Sequence, residues 1–107
     1  MLTGVGSLSR ARIRFAEREN AGYLNGPLEL ITLSGTVSQD GLHLHLSVSD
    51  AEGRMSAGHL MDECIIRTTA EVVFGIFPDW QFSRKHDPGT GYSELSVDPI
   101  KEEGLEN

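Results

Sequence analysis

The chain has a single cysteine in 107 residues, so no internal disulfide can form, and no CxxC spacing supports a thiolate metal site. Cys64 precedes Ile65 and Ile66 and reads as a small buried hydrophobe in a reducing, cytoplasmic setting. Long apolar runs are missing, which excludes a membrane-spanning helix. Met1 to Arg14 lacks the basic, apolar and cleavage-site order of a secretory signal. Basic residues are scarce: nine Lys and Arg stand against sixteen Asp and Glu, a net charge of −7. Such a surface repels a phosphate backbone, so nucleic acid is a disfavoured partner for the chain as a whole. No repeat or low-complexity stretch interrupts it. A chain of this length makes one domain with a modest core, and burying only about two-thirds of its unfolded surface leaves room for oligomerisation to add more.

What is present is histidine in an informative pattern. Leu42-His43-Leu44-His45-Leu46 alternates with period two, the mark of a half-buried strand. Leu42, Leu44, Leu46 and Val48 are expected on one face, with His43, His45, Ser47 and Ser49 on the other. Asp50-Ala51-Glu52-Gly53-Arg54 then reads as a tight hairpin turn, with Gly53 at a left-handed position. If Asp50 pairs with Arg54, His45 lies opposite His59, and His43 is a diagonal neighbour. Opposite residues have Cβ atoms about 5 Å apart, so three imidazoles can reach one point. Three neutral nitrogens with an open fourth position suit a catalytic or substrate-binding zinc. The competing reading is a polar, solvent-facing row, and a one-residue slip of register would move His59 to the leucine face.

The rest reads as strands joined by short turns. Arg10 to Glu17 alternates Ala11, Ile13 and Phe15 with arginines. Asn20 to Pro27 reads as a turn region, punctuated by Asn25-Gly26-Pro27. In the strand from Leu28 to Val37, Leu28, Leu30, Thr32 and Ser34 share a face. Gln39-Asp40-Gly41 is a hairpin signal. Cys64 to Phe77, rich in β-branched residues, is expected to be strand, buried on both faces around Val72 to Phe77, with a helix over 67–74 as the alternative. Trp80 to Ser83 and Tyr92 to Val97 complete the strands, and His86 is expected in a solvated loop. Residues 1–98 form the expected domain, and 99–107 an acidic, disordered tail.

Taken in order, Gly4-Val5-Gly6-Ser7-Leu8, Leu33-Ser34-Gly35-Thr36-Val37, Gly41-Leu42-His43-Leu44-His45-Leu46-Ser47, Asp50-Ala51-Glu52-Gly53-Arg54, Gly58-His59-Leu60, Thr69-Ala70-Glu71-Val72-Val73, Phe82-Ser83-Arg84 and Gly91-Tyr92-Ser93-Glu94-Leu95 resemble the PPC (plants and prokaryotes conserved) domain family. The resemblance covers nearly the whole chain. It implies an α+β fold, mostly antiparallel or mixed sheet with little helix in these residues, assembled as a homotrimer. The family's domain normally begins with a strand and a helix upstream of the Gly4–Leu8 segment, so the chain is expected to lack them and to leave a strand edge and an apolar sheet face bare. Some prokaryotic members bind a metal. The wider fold superfamily takes in acetolactate decarboxylase, whose zinc is held by histidines including a His-x-His pair, a similarity that maps onto His43, His45 and His59. The plant members' AT-hook, which enters the minor groove, has no counterpart here.

Three functions follow as expectations. The first is a divalent-metal site, zinc before nickel, copper or iron, on His43, His45 and His59, with Arg67 and Glu71 as supporting groups and no reaction fixed; for Arg67 and Glu71 the alternative is a structural ion pair. The second is a DNA-associated regulator, contacting DNA through Arg10, Arg12 and Arg14, whose alternative is an ordinary solvated strand face. The third is a trimeric scaffold for protein interactions.

Overall fold

Alternating apolar residues and Gly- or Asp-marked turns produce seven strands in the computed structural model, which describes residues 3–101. They are β1 (Thr3–Arg14), β2 (Gly22–Ser38), β3 (Gly41–Ser49), β4 (Met55–Leu60), β5 (Ile65–Val73), β6 (Trp80–His86) and β7 (Ser93–Pro99). Two units are distinguished: residues 3–36 with 43–75, and residues 37–42 with 76–101. The described residues are all β and the sheets antiparallel; the α+β label implied by the resemblance is not met. The stretch weighed as a helix, 67–74, is strand through Val73, in keeping with Ile65, Ile66, Thr68, Thr69, Val72 and Val73, which pack well on a pleated surface. Among the described residues no helix is long and apolar enough to cross a membrane.

In the first unit the strand order is β2-β3-β4-β1-β5, and β2 also pairs with β1. The hydrogen bonding of β1 to β4 therefore closes back on itself as a ring, with β5 added along the start of β1. Leu8, Ala11, Ile13, Leu28, Leu30, Leu33, Leu44, Leu46 and Val48 form the core, and Leu24, Leu60 and Cys64 pack against it. Cys64 is half-buried, and its sulfur accepts a hydrogen bond from the Arg12 backbone N–H at 3.3 Å.

Other expectations are corrected in this unit and beside it. Asn25-Gly26-Pro27 is not a turn but lies within β2. The ladder passes from Leu8↔Leu28 to Arg10↔Asn25, so β2 carries one extra residue opposite Ser9, and a bulge accommodates the proline, which cannot donate to the ladder. The alternation in β2 also breaks after Leu30: Leu33 is buried and Thr32 is not. From Leu30 to Leu33 the spacing of buried residues is three rather than two, so the strand changes the face it turns to the core there. Lastly, Val72 to Phe77 is not buried. β5 ends the sheet, and Val72, Val73, Phe74, Ile76 and Phe77 remain 37% to 84% exposed. Leu42, expected beside Leu44, is also exposed.

In the second unit β6 and β7 form a hairpin in continuous register from Trp80↔Pro99 to His86↔Ser93. His86 is thus an exposed strand residue rather than a loop residue. Phe77 stacks on Phe82, and Asp40 in the β2–β3 turn accepts a hydrogen bond from the Arg84 backbone N–H at 2.8 Å. The Asp98 carboxyl is held below its usual pKa by hydrogen bonds from Lys85 and Ser96. The acidic tail expected from residue 99 falls outside the described residues from 102 onward.

Ile13 is fully buried at the centre of the core. Ile13→Ala is expected to lower stability by about 2–5 kcal/mol, read from the urea unfolding midpoint.

Candidate metal centre

The turn between β3 and β4 sets the register of the histidines. Asp50 donates its backbone N–H to the Arg54 carbonyl at 2.9 Å and accepts from Gly53 at 3.0 Å. Its carboxylate also accepts from the backbone N–H groups of Glu52 (3.0 Å) and Arg54 (2.8 Å). Gly53 has φ +80°, a conformation that glycine adopts without steric cost. The register fixed in this way runs from Ser49↔Met55 to His45↔His59, as the turn arithmetic requires.

Leu44, Leu46 and Val48 consequently point inward, and the histidines point to the other face. The ring centroids of His43 and His45 are 5.5 Å apart, those of His43 and His59 5.1 Å, and those of His45 and His59 5.6 Å. One nitrogen from each ring can be chosen so that all three lie within 4.8 Å of one another. Nitrogens bound tetrahedrally to zinc sit about 3.4 Å apart, so modest ring rotations would complete the grip. His43 and His59 are half-buried and His45 is exposed, which leaves one side of the triangle accessible.

The histidines line a cavity of about 520 Å³. The end of β1 forms another part of its wall, because the β1–β4 ladder pairs Ile13 with Leu60 and Arg14 with His59. Arg14, Phe15 and Ala16 all line the cavity. Thr32 and Ser34 contribute from β2, and the Thr32 hydroxyl lies 2.6 Å from that of Ser47. None of these wall residues emerges from the histidine motif: the pairing of β1 with β4 is long-range, and Arg14 reads in the sequence only as part of a basic stripe.

That stripe is divided in the structure. Arg10 lies 3.6 Å from Glu63, and Arg12 pairs with Asp62. Both guanidiniums lie over the Tyr23 ring, at 4.9 and 5.6 Å from its centroid. Tyr23 donates its hydroxyl to Glu63 at 2.7 Å, and this hydrogen bond is the main cause of its raised pKa. Arg14 is the member that turns to the histidine cavity. Arg67 and Glu71 are exposed on β5, where Glu71 pairs with Val5, and are not among the residues lining that cavity.

A model of the Plants and Prokaryotes Conserved (PCC) domain matches residues 1–78. The chain is 47% identical over 100 residues to the bifunctional protein GlmU of Synechococcus sp. strain JA-2-3B'a(2-13), covering 94% of this chain and 16% of that protein. Against the GlmU of Synechococcus sp. strain JA-3-3Ab it is 46% identical over 102 residues, covering 95% and 16%. The chain thus spans about a sixth of the length of these curated relatives. Among solved structures, a hypothetical protein from Salmonella cholerae-suis (Salmonella enterica) superposes with a TM-score of 0.89 at 42% identity, over 92% of this chain and 71% of the other. A candidate DNA-binding protein from Bacteroides thetaiotaomicron shares the fold at 22% identity and a TM-score of 0.64, over 88% and 71%.

Beside the site, Gly58 of β4 lies close against the end of β1. A Cβ there would meet the Arg14 carbonyl oxygen at 2.7 Å and an Ile13 methyl at 2.7 Å. Gly58→Ala is expected to cost about 1–3 kcal/mol in urea unfolding, since the backbone of β1 must shift to make room.

Proposed function

Because the chain belongs to the Plants and Prokaryotes Conserved (PCC) domain family, we propose that it is a homotrimeric metal-holding module in which His43, His45 and His59 bind one divalent ion, zinc first. The observation that carries this reading is the triangle of imidazole nitrogens within 4.8 Å of one another, open on one side. A bound ion would supply an electrophile with a coordination position left for a ligand. The chain supplies the rest. The Asp50–Arg54 turn holds the two strands in register, the buried leucines keep the imidazoles turned outward, and the three donors carry no charge of their own. Imidazole donors also accept nickel, copper or iron, so the identity of the ion rests on availability as well as on the site.

The matching regions of the Synechococcus proteins make up a small part of much longer chains, in keeping with a module that works beside other domains. The exposed apolar residues of β5 offer surface for the neighbouring copies of a trimer. Arg67 and Glu71 would join the site if a neighbouring copy carried them to it. A DNA-associated role is the weaker reading: Arg10 and Arg12 are paired with Glu63 and Asp62, and the net charge of −7 opposes a phosphate backbone.

Elemental analysis of protein purified without added metal, and again after zinc loading and desalting, is expected to reach about one equivalent per chain. His45→Ala should lose the metal, and acidification should release it, because protons compete for the imidazole nitrogens. Less than about a tenth of an equivalent, with no gain on adding zinc, would defeat the reading. Native mass spectrometry is expected to show three chains per particle; a monomer at tens of micromolar would remove the trimer from the proposal.

A further inference from the structure

Sixteen acidic residues outnumber nine basic ones in this chain, yet among the described residues none of the side chains lining the histidine cavity is Asp or Glu. Arginine supplies the one permanent charge in that lining, at Arg14, in direct register with His59. Its neighbours Arg10 and Arg12 have carboxylate partners, at Glu63 and Asp62. The interaction that the structure gives the Arg14 guanidinium is a 3.4 Å hydrogen bond from Nη1 to the Arg18 carbonyl oxygen, which occupies one of its five N–H donors.

From this we infer that the cavity binds a small organic carboxylate, held by the Arg14 guanidinium at one end and by the ion on the histidines at the other. The inference rests on the metal reading and adds the ligand class. Three neutral imidazoles leave the charge of a divalent ion uncompensated, and Arg14 adds a further positive charge on the adjacent strand. Among the described residues no carboxylate belongs to the lining, so an anionic ligand would complete the electrostatics. A guanidinium matches a carboxylate through a planar pair of N–H donors, a geometry that an ammonium or a hydroxyl lacks. Thr32 and Ser34 add hydroxyls able to meet further oxygens of the ligand, and Phe15 and Ala57 add apolar wall. The volume of about 520 Å³ lies within the range of small-molecule sites.

The probe is L-lactate, titrated into cobalt(II)-loaded protein and followed by the visible absorption of the cobalt ion, with cobalt content measured in the same samples. Saturable spectral change is expected, with affinity reduced about tenfold or more in Arg14→Gln. Lactamide, which keeps the hydroxyl and lacks the charge, is expected to bind wild-type protein about tenfold or more weakly than lactate does, a comparison that stands even if the variant fails to fold. Equal lactate affinity in cobalt-loaded Arg14→Gln and wild type, or equal affinity of wild type for lactate and lactamide, would overturn the inference and leave the metal reading intact. Inorganic phosphate binding as tightly as lactate would overturn the assignment to carboxylates. Failure of the wild type to take up cobalt would overturn the metal reading and this inference together.

Discussion

The site depends on one constraint, the pairing of β3 with β4 in the register that sets His45 opposite His59. Side chains alternate along a strand with a period of two, so a shift of a single residue would turn His59 into the leucine core and a core residue out to the cavity. Two features hold the register. The Asp50 carboxylate caps the backbone N–H groups of Glu52 and Arg54, and Gly53 adopts the left-handed conformation that the loop needs. On the opposite face, Leu44, Leu46 and Val48 are buried. A slipped strand would have to bury imidazoles in their place, so the core and the turn enforce the same alignment independently.

This explains which parts of the structure could be read from the chain. The histidine hairpin was legible because its geometry is local: a turn of known chemistry joins two short strands, and counting from the turn gives the pairing. The same logic located the turn at Gln39 and Asp40. The wall that β1 and β2 give the cavity was not legible, although Ser47 was expected on the histidine face. Arg14 faces His59 only because β1 returns to pair with β4 at Ile13 and Arg14, and no short-range pattern encodes a contact between residues so far apart in sequence. In β2, Asn25-Gly26-Pro27 carries every local sign of a turn, yet its surroundings absorb it as a bulge. The β-branched run of β5 reads as a buried strand because propensity reports fitness for a pleated surface, not whether anything covers that surface. Its strand character was therefore right and its burial wrong.

The basic stripe of β1 shows how topology divides residues that look equivalent in sequence. Arg10, Arg12 and Arg14 are spaced two apart and belong to one strand, but that strand has different neighbours along its length. Beside Arg10 and Arg12 lie Tyr23 on β2 and the acidic pair Asp62 and Glu63 that follows β4, and these form a salt-bridged aromatic cluster. At Arg14 the neighbouring strand is β4 itself, and the residue across the ladder is His59. The ring closure thus separates two arginines paired with carboxylates from one that faces the imidazoles. In a chain of net charge −7, Arg14 stands beside three imidazoles in a cavity wall to which, among the described residues, no Asp or Glu contributes. If the histidines hold an ion, such a wall would favour anions by contrast with the rest of an acidic chain as much as by contact.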